Sequence, residues 1–303
     1  MRCDLHVHTV HSGKCAIPIL KKFCRESYND PQETYEILKR RGMNLVTVTD
    51  HDSIGAADAL RKHADFFLSE EVSCVTPDGA RLHVGVFDIQ ERDHFELQRR
   101  RGDLLSLIFY LQERRLLFSV NHVFSALTGH RAASDFVLIE HYFPLLETRN
   151  GQMSAACNQA AARLAKRWSK SPIAGSDAHS HVGLGRTYTA VPGARSKAEF
   201  LEHLRCGTGL TQGESGSYWK LTRTVIEIAS GLLREERWAL CLSPLLLLAP
   251  AVTLGNCLVE AGFHRRWSKR ALAASTPDRG RGIELEVGQI RPQVSSRALD
   301  EYQ

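Results

Sequence analysis

The stretch CDLHVHTVH, residues 3–11, predicts a strand at 3–7 that presents two histidines to one side. Successive side chains on a strand point to opposite faces, so His6 and His8 share a face. Two neutral imidazoles on one face can each give a nitrogen to the same divalent transition metal. Such a pair alone is more often packed against backbone acceptors, so the rest of the chain decides between a metal site and a buried polar pair.

Short apolar runs alternate with amphipathic stretches over the first 210 residues. The apolar runs predict strands at 3–7, 44–49, 71–75, 82–87, 116–120, 142–146, 173–175 and 187–191. The amphipathic stretches predict helices at 31–41, 54–64, 91–115, 151–169 and 197–206. Strands that alternate with helices are typical of βαβ units with a parallel sheet. The predicted fold class is therefore α/β, and about seven strands in this length favour a closed β/α barrel over an open sheet.

Acids and histidines recur where these strands begin or end. In α/β barrels the active site lies at the carboxyl ends of the strands, so such side chains are expected to converge. They are His6, His8, Asp50, His51, Glu71, His83, His122, Glu147, Asp177 and His179. A hydrophobic interior tolerates so many ionisable groups only when they are paired or bound to metal. Carboxylates mixed with imidazoles favour manganese, zinc or iron over magnesium or calcium.

The motifs that carry these residues resemble the PHP family, named for polymerase and histidinol phosphatase. In chain order they are DLHVHT at 4–9, TDHDS at 49–53, SEEVS at 69–73, LHVGVF at 82–87, NHV at 121–123 and GSDAHS at 175–180. The resemblance runs from about residue 2 to residue 210, two thirds of the chain. It implies a distorted β/α barrel with a multinuclear metal site. The activity it implies is metal-dependent hydrolysis of phosphoesters.

Position by position, the resemblance implies a set of metal ligands. The first ion takes His6, His8 and Asp177, the second His83 and His122, and the third His51 and His179. Glu71 would bridge the first and second ions, and Glu70 beside it is expected to face solvent. The expected cofactors are therefore two divalent ions, or three, of manganese, zinc or iron.

The third ion is the one that the sequence leaves open. Many PHP proteins read HTxxSDG, and the aspartate of that motif reaches the third ion. Here the stretch is HTVHSGKC, so Gly13 stands in the place of the aspartate. His11 is a candidate replacement, and the ammonium group of Lys14 is a candidate contact for a bound phosphate. Arg149 and Arg186 are further candidates for phosphate contact, although most arginines are solvated surface residues.

Further roles follow from what a hydrolytic metal site needs. Metal-bound imidazoles usually donate their second N–H to a carboxylate or a carbonyl, so Asp4, Asp50 and Glu147 are candidates to orient ligands. The predicted mechanism uses a metal-activated hydroxide as the nucleophile. His51 or His179, where free of metal, would protonate the leaving group, and Asp50 is a catalytic candidate with them.

The pattern changes after residue 212. Residues 1–212 are predicted to form the metal-dependent barrel, 213–270 a helical extension and 271–303 a flexible polar tail. The run WALCLSPLLLLAPAVTLGNCLV at 238–259 carries no charge and is long enough to span a bilayer. It is either a membrane anchor or a buried helical pair that caps the barrel. The expected location is the cytoplasm, with membrane anchoring of a cytoplasmic barrel as the alternative.

Composition limits the function classes. The chain has 303 residues, a formal net charge of +5 and eight cysteines, with no CxxC pair. These cysteines are typical of reduced thiols in the cytosol, and the polar N-terminus is unlike a signal peptide. A small phosphomonoester or nucleotide is the favoured substrate. The alternatives are a 3′–5′ exonuclease-type phosphodiesterase that acts on nucleic acid, and a catalytically silent PHP module with a regulatory or binding role.

Overall fold

The computed structural model describes residues 1–15 and 24–274. Its strands, in chain order, are β1 (Arg2–Cys3), β2 (Ser69–Val75), β3 (Arg81–Phe87), β4 (Leu117–Val120), β5 (Leu145–Asn150), β6 (Ser171–Gly175), β7 (Thr187–Ala190) and β8 (Leu210–Gly213). They form a five-stranded sheet of order β2-β3-β4-β5-β6 and a three-stranded sheet of order β1-β7-β8. Because helices cover these sheets, the predicted α/β class is confirmed.

The larger sheet is mixed, whereas a parallel sheet was predicted. β2 pairs antiparallel with β3, and β3 with β4, while β4, β5 and β6 run parallel. The cause is a hairpin between β2 and β3, in which the Thr76 amide donates to the Ala80 carbonyl at 2.8 Å. A turn this short joins only antiparallel strands.

Two extended segments, 3–8 and 44–51, complete the wall around the site without forming long strands. The Val7 carbonyl accepts from the Thr49 amide at 2.8 Å, and Val7 pairs in parallel with Ala178 on its other side. The Val7 amide donates to the Thr49 hydroxyl at 3.0 Å, so a side chain takes the place of a backbone carbonyl. In the described residues, 1–15 and 24–274, the strands therefore form two separate sheets, and the predicted closed barrel is not formed.

The helices are α1 (Pro31–Arg40), α2 (Ala57–Leu60), α3 (Glu91–Arg100), α4 (Leu104–Glu113), α5 (Ala133–Tyr142), α6 (Ala155–Arg167), α7 (Lys197–Arg205), α8 (Tyr218–Glu235) and α9 (Ala249–Ala274). The single helix predicted at 91–115 is wrong, because the Asp103 carboxylate accepts from the Leu105 amide at 3.0 Å and begins α4. The strand predicted at 142–146 begins later, since Tyr142 ends α5.

Apolar side chains fill both sides of the larger sheet. Leu107, Phe136 and Leu164 extend from three helices into the core on one side. Leu145 belongs to a separate apolar cluster on the other side. Leu145 and Glu147 share a face of β5, because side chains alternate along a strand. One face of this strand therefore carries apolar packing at its start and an ionisable group further along.

The C-terminal region is exposed over its apolar part. The helical stretch Trp238–Ala274 is long and apolar enough to cross a membrane, and 17% of its most apolar window is buried. Trp267, near its end, packs on Phe136 with ring centroids 5.9 Å apart, but Leu247 is 84% exposed. The predicted buried helical pair is therefore wrong, and membrane anchoring stays a prediction. Residues 275–303, most of the predicted tail, lie outside the described residues.

Candidate metal centre

Side chains from widely separated parts of the chain converge at one end of the larger sheet. Their nitrogen and oxygen atoms lie within 4.8 Å of one another in four overlapping groups. The groups are His6–His8–Asp177, His6–Glu71–His122, His51–Glu71–His83 and His8–His51–His179. All eight ligands implied by the family resemblance are thus brought together, while their roles as ligands stay a prediction.

Glu71 lies at the centre of these groups and is fully buried. Its Oε2 is 3.2 Å from His6 Nε2 and 3.3 Å from His51 Nδ1. Its Oε1 is 3.3 Å from His122 Nε2 and 3.6 Å from His83 Nδ1. Because the two oxygens face different pairs of imidazoles, the carboxylate has the geometry needed to bridge two cations.

His6 is held from behind by a second carboxylate. Its Nδ1 donates to Glu147 Oε1 at 2.8 Å, which leaves Nε2 to face the cluster. That Nε2 lies 3.0 Å from His8 Nε2 and 3.5 Å from Asp177 Oδ1. Glu147 therefore makes the kind of contact that orients a metal-binding imidazole.

Two residues of the site, His122 and Asp177, have a left-handed backbone two positions after a strand ends. The φ angles are 26° at His122 and 52° at Asp177, a region that costs energy for residues other than glycine. The side-chain amide of Asn150 donates to Glu147 Oε2 at 2.9 Å and to Asp177 Oδ2 at 3.0 Å. The His122 amide donates to the same Glu147 oxygen at 2.8 Å. These contacts hold both strained residues toward the centre.

Charges in the cluster are strongly coupled. Burial alone would lower the pKa of His6, but Glu71 and Asp177 raise it well above the ordinary value. Burial, together with the neighbouring histidines and against the opposing effect of Asp177, lowers the pKa of His8 to about 3. Burial would raise the pKa of Glu71, but the surrounding imidazoles hold it well below its usual range. Glu71 therefore stays ionised beside a neutral His8, whereas His6 would have to release a proton when it binds a metal ion.

The donor set fits a divalent cation better than it fits internal hydrogen bonding. His6 Nε2 and His8 Nε2 face each other at 3.0 Å, so at most one of them can donate to the other. Within the described part of the chain, the buried His122 Nδ1 has no hydrogen-bond partner. Imidazole nitrogens mixed with carboxylate oxygens suit manganese, iron or zinc.

One carboxylate of the site was missed by the sequence analysis. Glu26 Oε1 lies 3.7 Å from His51 Nε2 and 3.6 Å from His179 Nε2. The replacement considered for the absent aspartate at Gly13 was His11, which lines a neighbouring cleft. Neither His11 nor Glu26 is in the four ligand groups, but Glu26 has the two imidazole contacts given above. Glu26 lies in irregular backbone with no local motif, so no spacing signalled it. We call His51, His179 and Glu26 the outer cluster, and His6, Glu71 and His122 the inner cluster.

Asp50 and Asp4 accept hydrogen bonds from groups that lie near the ligand residues. Asp50 accepts from the Thr9 amide at 2.6 Å and from the Ser12 hydroxyl at 2.7 Å. Ser12 Oγ also lies 2.9 Å from His8 Nδ1, so Asp50 reaches a ligand through Ser12. Asp4 accepts from three backbone amides and contacts no imidazole among the residues described. The Thr9 and Ser12 donors already engage the Asp50 oxygens. A direct catalytic contact of Asp50 stays a prediction.

A cleft of about 840 Å³ opens beside the outer cluster. His179 borders it on one side, and Ile228 and Arg234 of α8 border it on the other. Arg25 also lines the cleft and is held by Glu235, with its Nε 2.9 Å from Glu235 Oε1. The sequence analysis selected neither of these two arginines, Arg25 and Arg234, that line the cleft.

The basic residues selected for phosphate contact lie elsewhere. Lys14 is exposed and does not line the cleft. Arg149 donates to the Gly213 carbonyl at 2.9 Å, and Arg186 pairs with Glu214 at 3.0 Å. Neither arginine lines the cleft, because acceptors near the end of β8 hold both guanidinium groups.

Glu70 is buried, so its predicted exposure to solvent is wrong. Neighbouring residues on a strand point to opposite faces, and Glu70 therefore points away from Glu71. Its Oε2 accepts from His94 Nδ1 at 2.8 Å and from Gln98 Nε2 at 3.1 Å. Both donors belong to α3, which covers this face of the sheet.

Comparisons with known proteins support the resemblance to the PHP family. Residues 156–208 match the PHP_C family, which is described as PHP-associated. The predicted resemblance is confirmed by this match. The uncharacterized protein MJ1587 of Methanocaldococcus jannaschii is 30% identical over 71 residues. That similarity covers 22% of this chain and 38% of the archaeal protein.

Three solved structures are similar in shape. PsfC from Pseudomonas syringae has a TM-score of 0.55 at 17% identity, over 76% of this chain and 98% of that one. The lesion-specific endonuclease PfuEndoQ from Pyrococcus furiosus has a TM-score of 0.48 at 18% identity, over 69% and 57%. An amidohydrolase from Chromobacterium violaceum has a TM-score of 0.47 at 16% identity, over 70% and 98%. The likeness to PsfC concerns the fold alone.

Proposed function

We propose that the chain is a metal-dependent hydrolase of phosphoesters that uses a metal-activated hydroxide as its nucleophile. The observation that carries the proposal is the convergence of six histidines and Asp177 around Glu71, whose oxygens face separate imidazoles. The resemblance to the PHP family supports the reaction class. Two bound divalent ions would supply the hydroxide and neutralise charge on the phosphoryl oxygens.

The chain's own residues would hold and orient these ions. The first would be held by His6, His8 and Asp177, and the second by His83 and His122, with Glu71 between them. Glu147 would fix the ring of His6, and Asp50 would fix that of His8 through Ser12. His179 borders the cleft, and His51 belongs to the same ligand group. Either could hold a third ion or, without one, donate a proton to the leaving oxygen.

The cleft favours a small phosphomonoester or nucleotide over a nucleic-acid strand. Its volume of about 840 Å³ is in the range of small-molecule sites. A single-strand exonuclease would need a basic groove with stacking rings. Among the described lining residues, Arg25 and Arg234 are balanced by Glu227 and Glu235, and Tyr28 supplies the one Phe, Tyr or Trp ring. A silent module is disfavoured because the implied two-metal ligand set is complete.

The proposal is tested by purification of the full chain, removal of metal with a chelator and reconstitution with manganese, zinc or iron. Sugar phosphates, nucleotides, a bis-aryl phosphodiester and a 3′-labelled oligonucleotide are then compared as substrates. We expect metal-dependent release of phosphate from a monoester, and loss of that activity in His8→Ala and Asp177→Ala. Metal-independent turnover, or wild-type turnover in both variants, would contradict the proposal.

A membrane-tethered form of this hydrolase is a second candidate, favoured by the exposed apolar run at 238–259. Leu247 and Leu258 are 84% and 66% exposed, which is unusual for leucines of a soluble domain. Flotation of the full chain with vesicles of neutral and anionic phospholipid tests it. We expect the wild type to float and Leu247→Asp/Leu258→Asp to remain with the soluble fraction. A wild type that stays soluble at every vesicle composition would contradict the candidate.

A further inference from the structure

We propose that Glu26 is the carboxylate ligand of a third divalent cation, which it holds with His51 and His179 in the outer cluster. Glu26 thereby replaces the aspartate that is absent at Gly13. The inference rests on the proposed function, because it assumes that the centre binds metal. It assigns a role to a residue that lies outside every motif of the resemblance.

The distances around Glu26 are those of ligands that share an ion. Its Oε1 lies 3.7 Å from His51 Nε2 and 3.6 Å from His179 Nε2. Both separations exceed a normal hydrogen bond. Ligand atoms about 2.1 Å from one tetrahedral cation lie about 3.4 Å apart. An oxygen almost equally distant from two imidazole nitrogens therefore fits a common cation better than it fits a pair of direct contacts.

The imidazoles of His51 and His179 both stack on the ring of His8. The ring of His8 stacks on that of His179 with centroids 4.2 Å apart and on that of His51 at 4.7 Å. Ligand atoms of these three histidines lie within 4.8 Å of one another. His179 Nδ1 donates to the Asp177 carbonyl at 3.0 Å, so its Nε2 is the nitrogen that faces Glu26. His8, His51 and His179 thus form one ligand group, and Glu26 lies beside two of its members.

Backbone contacts hold Glu26 at this point without a helix or strand. The Glu26 amide donates to the Gly13 carbonyl at 3.1 Å. The Ser27 hydroxyl and the Asn29 side-chain amide donate to the His8 carbonyl at 3.1 and 2.9 Å. The segment with Glu26 is therefore fastened to the segment that carries His8. This connection fixes the carboxylate relative to the first ligands of the chain.

The conformation of Gly13 explains why the carboxylate comes from elsewhere. Its φ is +83° and its ψ is −148°, a region that is essentially restricted to glycine. An aspartate at this turn would be strained whatever space surrounds it. The turn thus disfavours a carboxylate at position 13, and among the described residues Glu26 lies near both imidazoles.

The test is titration of the metal-free full chain with Mn²⁺ alone, followed by calorimetry and by paramagnetic resonance of free Mn²⁺. Wild type is compared with Glu26→Gln, Glu26→Asp and Glu36→Gln, the last being an exposed glutamate of α1. We expect the wild type and Glu36→Gln to bind three ions. In Glu26→Gln we expect the weakest site to lose more than about tenfold in affinity, with the other two unchanged and Glu26→Asp intermediate.

Each other result has a defined meaning. Retention of the third site in Glu26→Gln, or a wild type that binds only two ions, overturns the inference and leaves the proposed hydrolase standing. Loss of all three sites in Glu26→Gln also overturns it, because Glu26 would then support the fold of the whole centre. A wild type that binds no Mn²⁺, zinc or iron removes the proposed function itself.

Discussion

The inner and outer clusters use the same chemical groups in different surroundings. Side-chain exposure is at most 7% in the inner cluster and between 14% and 27% in the outer cluster. Two of the inner residues are held by further side chains, His6 by Glu147 and Glu71 by Asn121. His179 of the outer cluster borders a cleft. From this difference we expect any ion of the inner cluster to be held more firmly than an ion of the outer cluster.

The largest effect is expected for Glu71, which lies on one face of β2, whereas Glu70 lies on the other. Glu71→Gln removes the charge that lies between the two inner ions and should lower kcat at least about 10³-fold, corresponding to about 4 kcal/mol of transition-state stabilisation. Steady-state kinetics with elemental analysis of the purified protein measure activity and bound metal together. Glu70→Gln is the matched control, since Glu70 lies on the opposite face, and should change kcat by less than about threefold. Equal losses in both variants would contradict the central role of Glu71.

A smaller effect is expected in the outer cluster. His179→Ala should lower kcat about 10²-fold, because it removes either a ligand of the third ion or a proton donor. The two inner ions should remain, as their ligands do not change. Metal content and kcat of the reconstituted variant check this. Loss of the inner ions together with activity would show that the two clusters are one unit and would break the comparison.

A still smaller effect is expected at Glu147, which contacts His6 of the inner cluster from behind. Glu147→Gln keeps the shape of the side chain but weakens the hydrogen bond to His6 Nδ1, so metal affinity and kcat should fall about tenfold. Competition with a metal-sensitive dye measures the affinity. KM for the substrate should change little, because Glu147 does not line the cleft. A rise in KM at unchanged kcat would place Glu147 in substrate binding instead.

The smallest effect on kcat is expected at Leu247, which lies outside the metal centre. Leu247→Asp lies in the exposed apolar run, away from both clusters, and should leave kcat on a soluble phosphoester within about twofold. Kinetics without vesicles check this directly. A large loss of kcat would mean that the C-terminal region supports the metal centre, contrary to the separation drawn here.

Much of the inner cluster could be predicted because strand geometry is local. The spacing of His6 and His8 puts both on one face, and the resemblance to the PHP family selects Glu71 rather than Glu70. The fold brings both selected groups to one place. The partner of Glu70 was missed because it depends on α3 crossing the other face, which a strand pattern does not encode.

The outer cluster and the barrel wall depended on long-range contacts and were less predictable. Glu26 is placed by backbone hydrogen bonds to Gly13 and by its neighbours' bonds to His8, none of which follows a spacing rule. Arg149 and Arg186 resembled phosphate contacts in sequence, but acceptors near β8 hold them. The strand pattern gave no sign that Thr49 would supply a side-chain acceptor in place of a ladder.

The central claim is that the inner cluster binds divalent metal, and anomalous diffraction tests it most directly. Crystals of the full chain grown with Mn²⁺ would be measured on both sides of the manganese absorption edge. We predict one strong anomalous peak about 2.2 Å from His6 Nε2 and Glu71 Oε2, and a second at a similar distance from His122 Nε2 and Glu71 Oε1. Anomalous density confined to the protein surface, with ordered inner side chains and no peak beside Glu71, would contradict the claim.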